Sequence, residues 1–186
     1  MSPVTVVRGA VVPVVLGAVL GAIGGWLWWT WWGPAPAGRI YDTQAGPTWY
    51  PDPFDPGITS DFSGTATYVV VGVGLALLLG VVGGWLARDS ALVGLGAVLL
   101  ASVLAGLVMT LVGLAQSPPD PQDRAEKATV GEAMPGHLEV TGVTPYLTWP
   151  VGSLLGYLVV MLSLTSATTD GSRRPGQPSG EPAPLG

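Results

Sequence analysis

Four uninterrupted apolar blocks dominate the hydrophobic pattern of the chain. They cover residues 10–32, 66–87, 91–115 and 145–166, and none of them contains Asp, Glu, Lys or Arg. A helix needs about 20 apolar residues to cross roughly 30 Å of hydrocarbon. The blocks also lack the alternation that is typical of transmembrane strands. The pattern therefore predicts an all-α integral membrane protein, a four-helix bundle that crosses the bilayer four times.

The remaining segments differ in character from one another. We predict a cytoplasmic N-terminus (1–9), an extracytoplasmic loop rich in Pro and aromatics (33–65), a cytoplasmic turn (88–90), an extracytoplasmic acidic loop (116–144) and a disordered cytoplasmic tail (167–186). Proline fixes φ and removes a backbone donor, so the first loop is expected to be extended, with no helix. In the second loop we expect a short surface helix over 121–133. The polar, Gly/Pro/Ser-rich composition of the tail favours disorder.

The orientation of the spans depends on a small difference in loop charge. With the N-terminus inside, the cytoplasmic side holds Arg8, Arg88, Arg173 and Arg174, and the other side holds Arg39, Arg124 and Lys127. Lys and Arg near span ends favour the cytoplasm, and the two outer loops carry nine acidic residues. We therefore expect a multi-pass plasma-membrane protein with both termini in the cytoplasm.

Composition limits the kinds of reactive site that the chain can form and indicates the kind of organism it comes from. Only 10% of residues are charged, mean hydropathy is +0.51, and the chain has no Cys and one His. Disulfides and thiolate sites are thereby excluded. A single Lys and many Ala, Gly, Val, Pro and Arg are typical of a GC-rich, actinobacterial coding sequence. The first block exceeds the 7–15 apolar residues of a signal peptide, so we expect it to be retained as a span.

Small residues recur every four positions in each span. Residues four apart share one face of a helix, and small side chains allow helices to approach closely in lipid. We predict that these stripes pack the helices together, with the second and third spans forming a hairpin; homo-oligomerisation, or docking onto a larger membrane complex, is the alternative. The stripe residues are Gly17, Gly21, Gly25, Gly72, Ala76, Gly80, Gly84, Ala97, Ala101, Ala105, Gly152 and Gly156.

Tryptophan is concentrated where the first span ends and the fourth begins. Indole rings settle at the headgroup boundary, so anchoring together with packing is the favoured interpretation. The alternative is a contact platform for a polyprenyl lipid, a quinone headgroup or a glycan. The residues of this cluster are Trp26, Trp28, Trp29, Trp31, Trp32 and Trp149.

Polar residues in the loops suggest no reactive site. Asp52, Asp55 and Asp61 do not match the spacing of a Ca²⁺ loop. His137 with Glu132 would supply two metal ligands, too few for a site. We predict no catalytic, cofactor-binding or metal-binding residues, and no cofactor.

Two helix caps are also expected. Asp61 or Ser63 would cap the second span. Thr144 would cap the fourth, where Pro150 would kink the helix unless the span starts at Thr148.

Three motifs resemble a family of small actinobacterial four-span membrane proteins of unknown function. These are the Gly-rich first span ending in Trp, the stretch Ser60-Asp61-Phe62-Ser63-Gly64 before a Gly-rich second span, and Thr148-Trp149-Pro150 at the start of the last. The resemblance covers residues 10–166. It implies the same four-span plan and brings no catalytic residues.

The spans contain no side chain that is ionisable at neutral pH, which argues against an ion-coupled transporter. We expect a non-enzymatic accessory or structural subunit of a plasma-membrane or cell-envelope complex. The alternative is a protein that handles a lipid or a lipid-linked glycan at the Trp-rich outer interface. Expected partners are membrane lipids and a larger membrane complex or a second copy of the chain, and no nucleic acid.

Overall fold

Four long apolar helices form the body of the molecule. The computed structural model describes residues 3–53 and 58–171, with side chains over 10–53 and 63–166. The long helices are α1 (Pro3–Trp32), α2 (Ile58–Leu86), α3 (Ala91–Gln116) and α5 (Thr148–Gly171). Their stretches of membrane-spanning length and composition are Ala10–Trp32, Ser63–Leu86, Ala91–Gln116 and Thr144–Ser166. The prediction of four helices long and apolar enough to cross a membrane is confirmed.

The all-α prediction is wrong in one respect, because the two loops fold together into a small antiparallel sheet. Its strands are β1 (Ala37–Thr43), β2 (Gly46–Pro51) and β3 (Ala133–Pro135), in the order β2-β1-β3. Ile40 is paired with Trp49 on one side, and Gly38 with Met134 on the other. Pro47, Pro51 and Pro135 obscured the strand pattern, and they are tolerated because they lie in the outer strands.

Several predicted boundaries also change. The second loop contains only one helical turn, α4 (Gln122–Ala125). Helix α2 begins at Ile58, so Asp61 and Ser63 lie inside it and do not cap it. Thr144 opens a 3₁₀ turn (Thr144–Leu147) whose cap residue is Val143, and α5 starts at Thr148.

Pro150 therefore falls in the first turn of α5, where its missing N–H costs no helical hydrogen bond. The first residues of the predicted tail, 167–171, continue α5 as helix. Residues 172–186 lie outside the described residues.

The helices associate as two parallel pairs. The most extensive contacts join α1 to α3 and α2 to α5. Within the first pair Gly17 lies on Ala101 and Gly21 on Ala105, so both helices advance four residues in the same direction. Helices α2 and α3 also touch where Gly83 meets Val98, and Gly94 of α3 lies against Ala87 in the turn between them. Contact between these two is less extensive than contact within either pair.

Three buried hydrophobic clusters lie among the described residues, and one of them, formed by Ala87, Val98 and Tyr157, lies near the turn between α2 and α3. The core of the bundle includes the fully buried side chains of Trp28, Tyr68, Met109 and Trp149. The second core, smaller, lies beneath the sheet and is formed by Ile40, Ala125 and Met134. We call the end built from residues 33–53 and 117–143 the sheet module.

Candidate functional site

The tryptophan cluster divides into buried and exposed members. Trp28 and Trp149 are fully buried, whereas Trp26 is 55% and Trp31 is 65% exposed. Trp29 and Trp32 are half-buried, and their rings stack at a tilt with centroids 5.7 Å apart. Successive residues on a helix point in different directions, so one short run supplies both core and surface side chains. The cluster is therefore not a single platform.

Trp28 connects three helices at the sheet-module end of the bundle. Its Nε1 donates to the Gly64 carbonyl of α2 over 2.8 Å. Its ring meets the Tyr68 ring edge-on, with centroids 5.1 Å apart. On α3, Gly113 lies against the indole so closely that a Cβ there would collide with it. The indole thus acts as a structural link, whose contacts require glycine at 113.

A polar cluster lies in the bundle core where α2, α3 and α5 meet. The Tyr68 hydroxyl donates to the Gly106 carbonyl over 3.3 Å, and the Thr110 hydroxyl donates to the same oxygen over 3.0 Å. Trp149 covers Gly106, and a Cβ at that glycine would lie 3.2 Å from its Cδ1. Among the described residues, the buried Nε1 of Trp149 has no hydrogen-bond partner. Burying such a donor is costly, so its tight apolar packing has to compensate.

The small residues of α1 lie directly on α3. A Cβ added at Gly17, Gly21 or Gly25 would stand 2.5 Å from a carbonyl oxygen of α3. Those oxygens belong to Ala101, Ala105 and Met109 respectively. Backbone-to-backbone contact of this kind is how helices gain packing energy in lipid.

The α2–α5 pair is joined in the same way. A Cβ at Gly80 would collide with the Ser153 carbonyl, and one at Gly156 with the Leu77 carbonyl. At Gly152 it would lie 2.8 Å from the Cβ of Ala76.

All twelve stripe residues are buried within the chain. They are Gly17, Gly21, Gly25, Gly72, Ala76, Gly80, Gly84, Ala97, Ala101, Ala105, Gly152 and Gly156. The structure adds further glycines in close contact, which the four-residue spacing did not single out, among them Gly24, Gly83, Gly94, Gly106 and Gly113. With 28 glycines in the chain, spacing alone does not separate these from glycines that touch nothing.

Neighbouring helices do not pack closely along their whole length, and grooves remain between them. An apolar groove of about 440 Å³ runs between α1 and α2. We call it the α1–α2 groove; its lining is Leu27, Thr30, Trp31, Val70, Val71, Gly74 and Leu75. A Cβ at Gly74 would meet no atom within 4 Å, unlike one at the stripe glycines. A second groove, of about 290 Å³, lies between α2 and α5.

A buried side chain and a hydrogen bond join the sheet module to the bundle. The Leu138 amide donates to the Ser117 hydroxyl over 2.7 Å within the module, and the Leu138 side chain is fully buried in the bundle core. The Thr141 amide donates to the hydroxyl of Thr65 on α2 over 3.0 Å. These contacts fix the orientation of the module on the bundle.

Within the module, polar side chains close the outer strand. Gln122 accepts from the Trp49 amide over 3.3 Å and donates to the Trp49 carbonyl over 3.1 Å. The Trp49 indole donates to the Met134 carbonyl over 3.0 Å, and Arg39 pairs with Asp52 over 2.7 Å. Because Gln122 occupies backbone groups that an edge strand usually leaves open, it protects β2 from pairing with another chain.

His137 does not lie beside Glu132. Its Nδ1 lies 3.7 Å from Asp120, and its Nε2 lies 3.3 Å from Glu139. The carboxylates flank opposite nitrogens of one ring, so the three groups do not converge on one ion. Glu132 instead accepts from the amide and hydroxyl of Thr129. Over residues 10–53 and 63–166, where side chains are described, no three His, Cys, Asp or Glu form a metal-binding group.

Comparison with known proteins gives no relative from which a function could be transferred. No family model matches the chain, and no curated protein or solved structure matches it. Its function therefore has to be inferred from the geometry of this chain alone.

Proposed function

We propose that this protein is a non-enzymatic accessory or structural subunit of a bacterial plasma-membrane or cell-envelope complex. The observation that carries the proposal is the sheet module, which has its own small core, is hydrogen-bonded to α2 through Thr141 and Thr65, and buries Leu138 in the bundle core. Such a module presents a fixed surface at one end of a membrane anchor. Fixed surfaces lose little conformational entropy when they dock, which favours stable association.

The buried polar side chains of the bundle support a structural role. Tyr157 donates to the Ala91 carbonyl over 2.6 Å, and Ser153 donates to the Trp149 carbonyl over 2.8 Å. Trp28 and Tyr68 likewise donate to backbone carbonyls. The donors of these four side chains are thus used to hold helices or helical turns together, as expected of a rigid anchor.

We further propose that the sheet module lies outside the cell and that both termini are cytoplasmic. At the opposite end of the bundle, Arg88 lies over the Trp85 ring, 5.5 Å from its centroid. A cationic and an aromatic anchor together are typical of a membrane interface, and Arg favours the cytoplasmic one. We also propose that the chain belongs to the family of small actinobacterial four-span membrane proteins that it resembles.

Site-specific photocrosslinking tests the accessory role. Val143 in the sheet module is 79% exposed, and Leu92 at the other end of the bundle is 85% exposed, so both tolerate a photoreactive residue. In native membranes we expect a photoreactive residue at Val143 to crosslink to one protein in near-stoichiometric yield. The same residue at Leu92 serves as the control. Purification of an uncrosslinked protein with one defined lipid would contradict the accessory role.

The second candidate is binding or handling of a lipid or lipid-linked glycan at the Trp-rich outer interface. The observation that favours it is the α1–α2 groove, which Trp31 borders with a ring that is 65% exposed. Photocrosslinking at Val143 separates the two candidates, because lipid handling alone predicts no captured protein.

A further inference from the structure

We infer that the α1–α2 groove is a binding site for one hydrocarbon chain of a membrane lipid. This deepens the second candidate function and does not depend on a partner of the sheet module. The groove reaches from Trp31, at the predicted headgroup boundary, to Leu75 deeper in the span Ser63–Leu86. A hydrocarbon chain that enters it would lie in the hydrocarbon region with its headgroup at that boundary.

The chemistry of the lining selects a hydrocarbon. No charged side chain lines the groove, and its one hydroxyl, that of Thr30, already donates to the Trp26 and Leu27 carbonyls. An occupant with buried polar groups would leave them unsatisfied at this depth, which is costly in lipid. The uncharged wall is therefore complementary to an acyl or prenyl chain and unfavourable for a headgroup.

The shape indicates a site and not merely a lipid-exposed face. The volume of about 440 Å³ falls within the range of about 300–1,000 Å³ that is usual for small-molecule sites. Two helices form its walls, and Gly74 widens it where any larger residue would project into the space. Trp31 and Val70 in the groove are as exposed as Leu100 and Leu107 on the outer face of α3, so the concave shape, and not exposure, distinguishes the groove.

A helix from a second copy fits this groove less well. Helices pack in lipid where small residues face one another, as along Gly17, Gly21 and Gly25. Apart from Gly74 and Thr30, the groove is lined by Val, Leu and Trp side chains. A flexible hydrocarbon chain can follow so uneven a surface, whereas the backbone of a helix from a second copy cannot approach it closely.

A photoreactive phospholipid tests the site. We would reconstitute the full chain in nanodiscs of phosphatidylethanolamine and phosphatidylglycerol, with a trace of phospholipid carrying a diazirine in its acyl chain, and map adducts by mass spectrometry. We expect adducts at Leu27, Val70 and Gly74 to exceed those at Leu100 and Leu107 by about fivefold, the preference of an occupied site over bulk lipid.

Two phenylalanine variants provide the matched comparison. Gly74→Phe fills the groove, whereas Gly96→Phe makes the same change on α3, where a Cβ also meets nothing within 4 Å. Adducts at Leu27 and Val70 should fall about fivefold in the first variant and stay unchanged in the second. Should Gly74→Phe fail to fold, Trp31→Ala removes a wall of the groove at an exposed position and should also lower the adducts.

Three results would overturn the site. They are labelling in proportion to exposure on all helices, equal loss in both Phe variants, or a dimer in native mass spectra that Gly74→Phe dissociates. The last result would assign the groove to a second copy. Capture of a partner at Val143 in the Gly74→Phe variant reports on the accessory role separately.

Discussion

Helix α1 makes two kinds of contact, and they differ in what glycine does. Toward α3, Gly21 lies so close to Ala105 that a Cβ would stand 2.5 Å from its carbonyl oxygen. Toward α2, Gly74 borders an open groove and a Cβ would touch nothing within 4 Å. Glycine thus allows close packing of α1 on α3, and it leaves space between α1 and α2. Backbone proximity, and not glycine content, separates the closed helix contact from the open groove in this bundle.

Gly21→Leu should have the largest effect on the stability of the bundle. The new side chain would meet the α3 backbone, which cannot move without separating the pair, so we expect a loss of about 3 kcal/mol or more. Thermal unfolding in detergent, followed by circular dichroism, measures it. Unchanged stability would mean that α1 does not pack on α3 through this face.

Trp28→Phe should come next, because Trp28 joins α1 to both α2 and α3. The change removes the donor to the Gly64 carbonyl and empties space beside Gly113, for an expected loss of about 2 kcal/mol. The control is Trp31→Phe, the same change at an exposed ring, which should alter stability little. Equal losses in the two variants would show that the buried and exposed tryptophans do not differ in role.

Tyr68→Phe should have a smaller effect, about 0.6 kcal/mol, because hydrogen bonds between membrane helices are modest on average. Thr110→Val removes the second donor to the same Gly106 carbonyl. The two hydroxyls compete for one oxygen, which also accepts a helical amide, so each bond strengthens when the other is removed. The double variant should therefore lose more than the two single losses together. If the two losses of stability simply add, the two hydroxyls do not share the Gly106 carbonyl oxygen.

Gly74→Leu should change stability least, by under about 0.5 kcal/mol, because its side chain enters the open groove. The same unfolding assay that detects the loss in Gly21→Leu measures it. A loss comparable to that of Gly21→Leu would show that α1 and α2 close together and that no groove exists between them.

The sequence predicts the spans well because their signal is local and long. Twenty or more uncharged residues in a row leave few alternatives, and the first span has the predicted bounds, Ala10–Trp32. The sheet combines a local hairpin of β1 and β2, which contains Pro47 and Pro51, with three residues, Ala133–Pro135, that pair with β1 from about a hundred positions away. No local sequence pattern predicts so short a strand, and the proline in it argued against a strand.

Helix pairing and side-chain burial in the tryptophan cluster were also beyond sequence reasoning. Spacing of four identifies a face of a helix but not its neighbour, so the α1–α3 and α2–α5 partners could not be assigned. Trp28 and Trp31 are three positions apart, and only the placement of α2 and α3 buries the first and exposes the second. Gly74 is two positions from the stripe residues Gly72 and Ala76, a distinction that needs the packed structure.

Cysteine crosslinking tests the closed contact most directly, because the native chain contains no Cys. A Cβ at Gly17 would lie 3.0 Å from the Cβ of Ala101, slightly under the usual separation in a disulfide of about 3.5–4.5 Å. The variant G17C/A101C should therefore oxidise within one chain, giving a monomer whose mass falls by two hydrogens. A disulfide-linked dimer would contradict parallel packing of α1 on α3 within the chain.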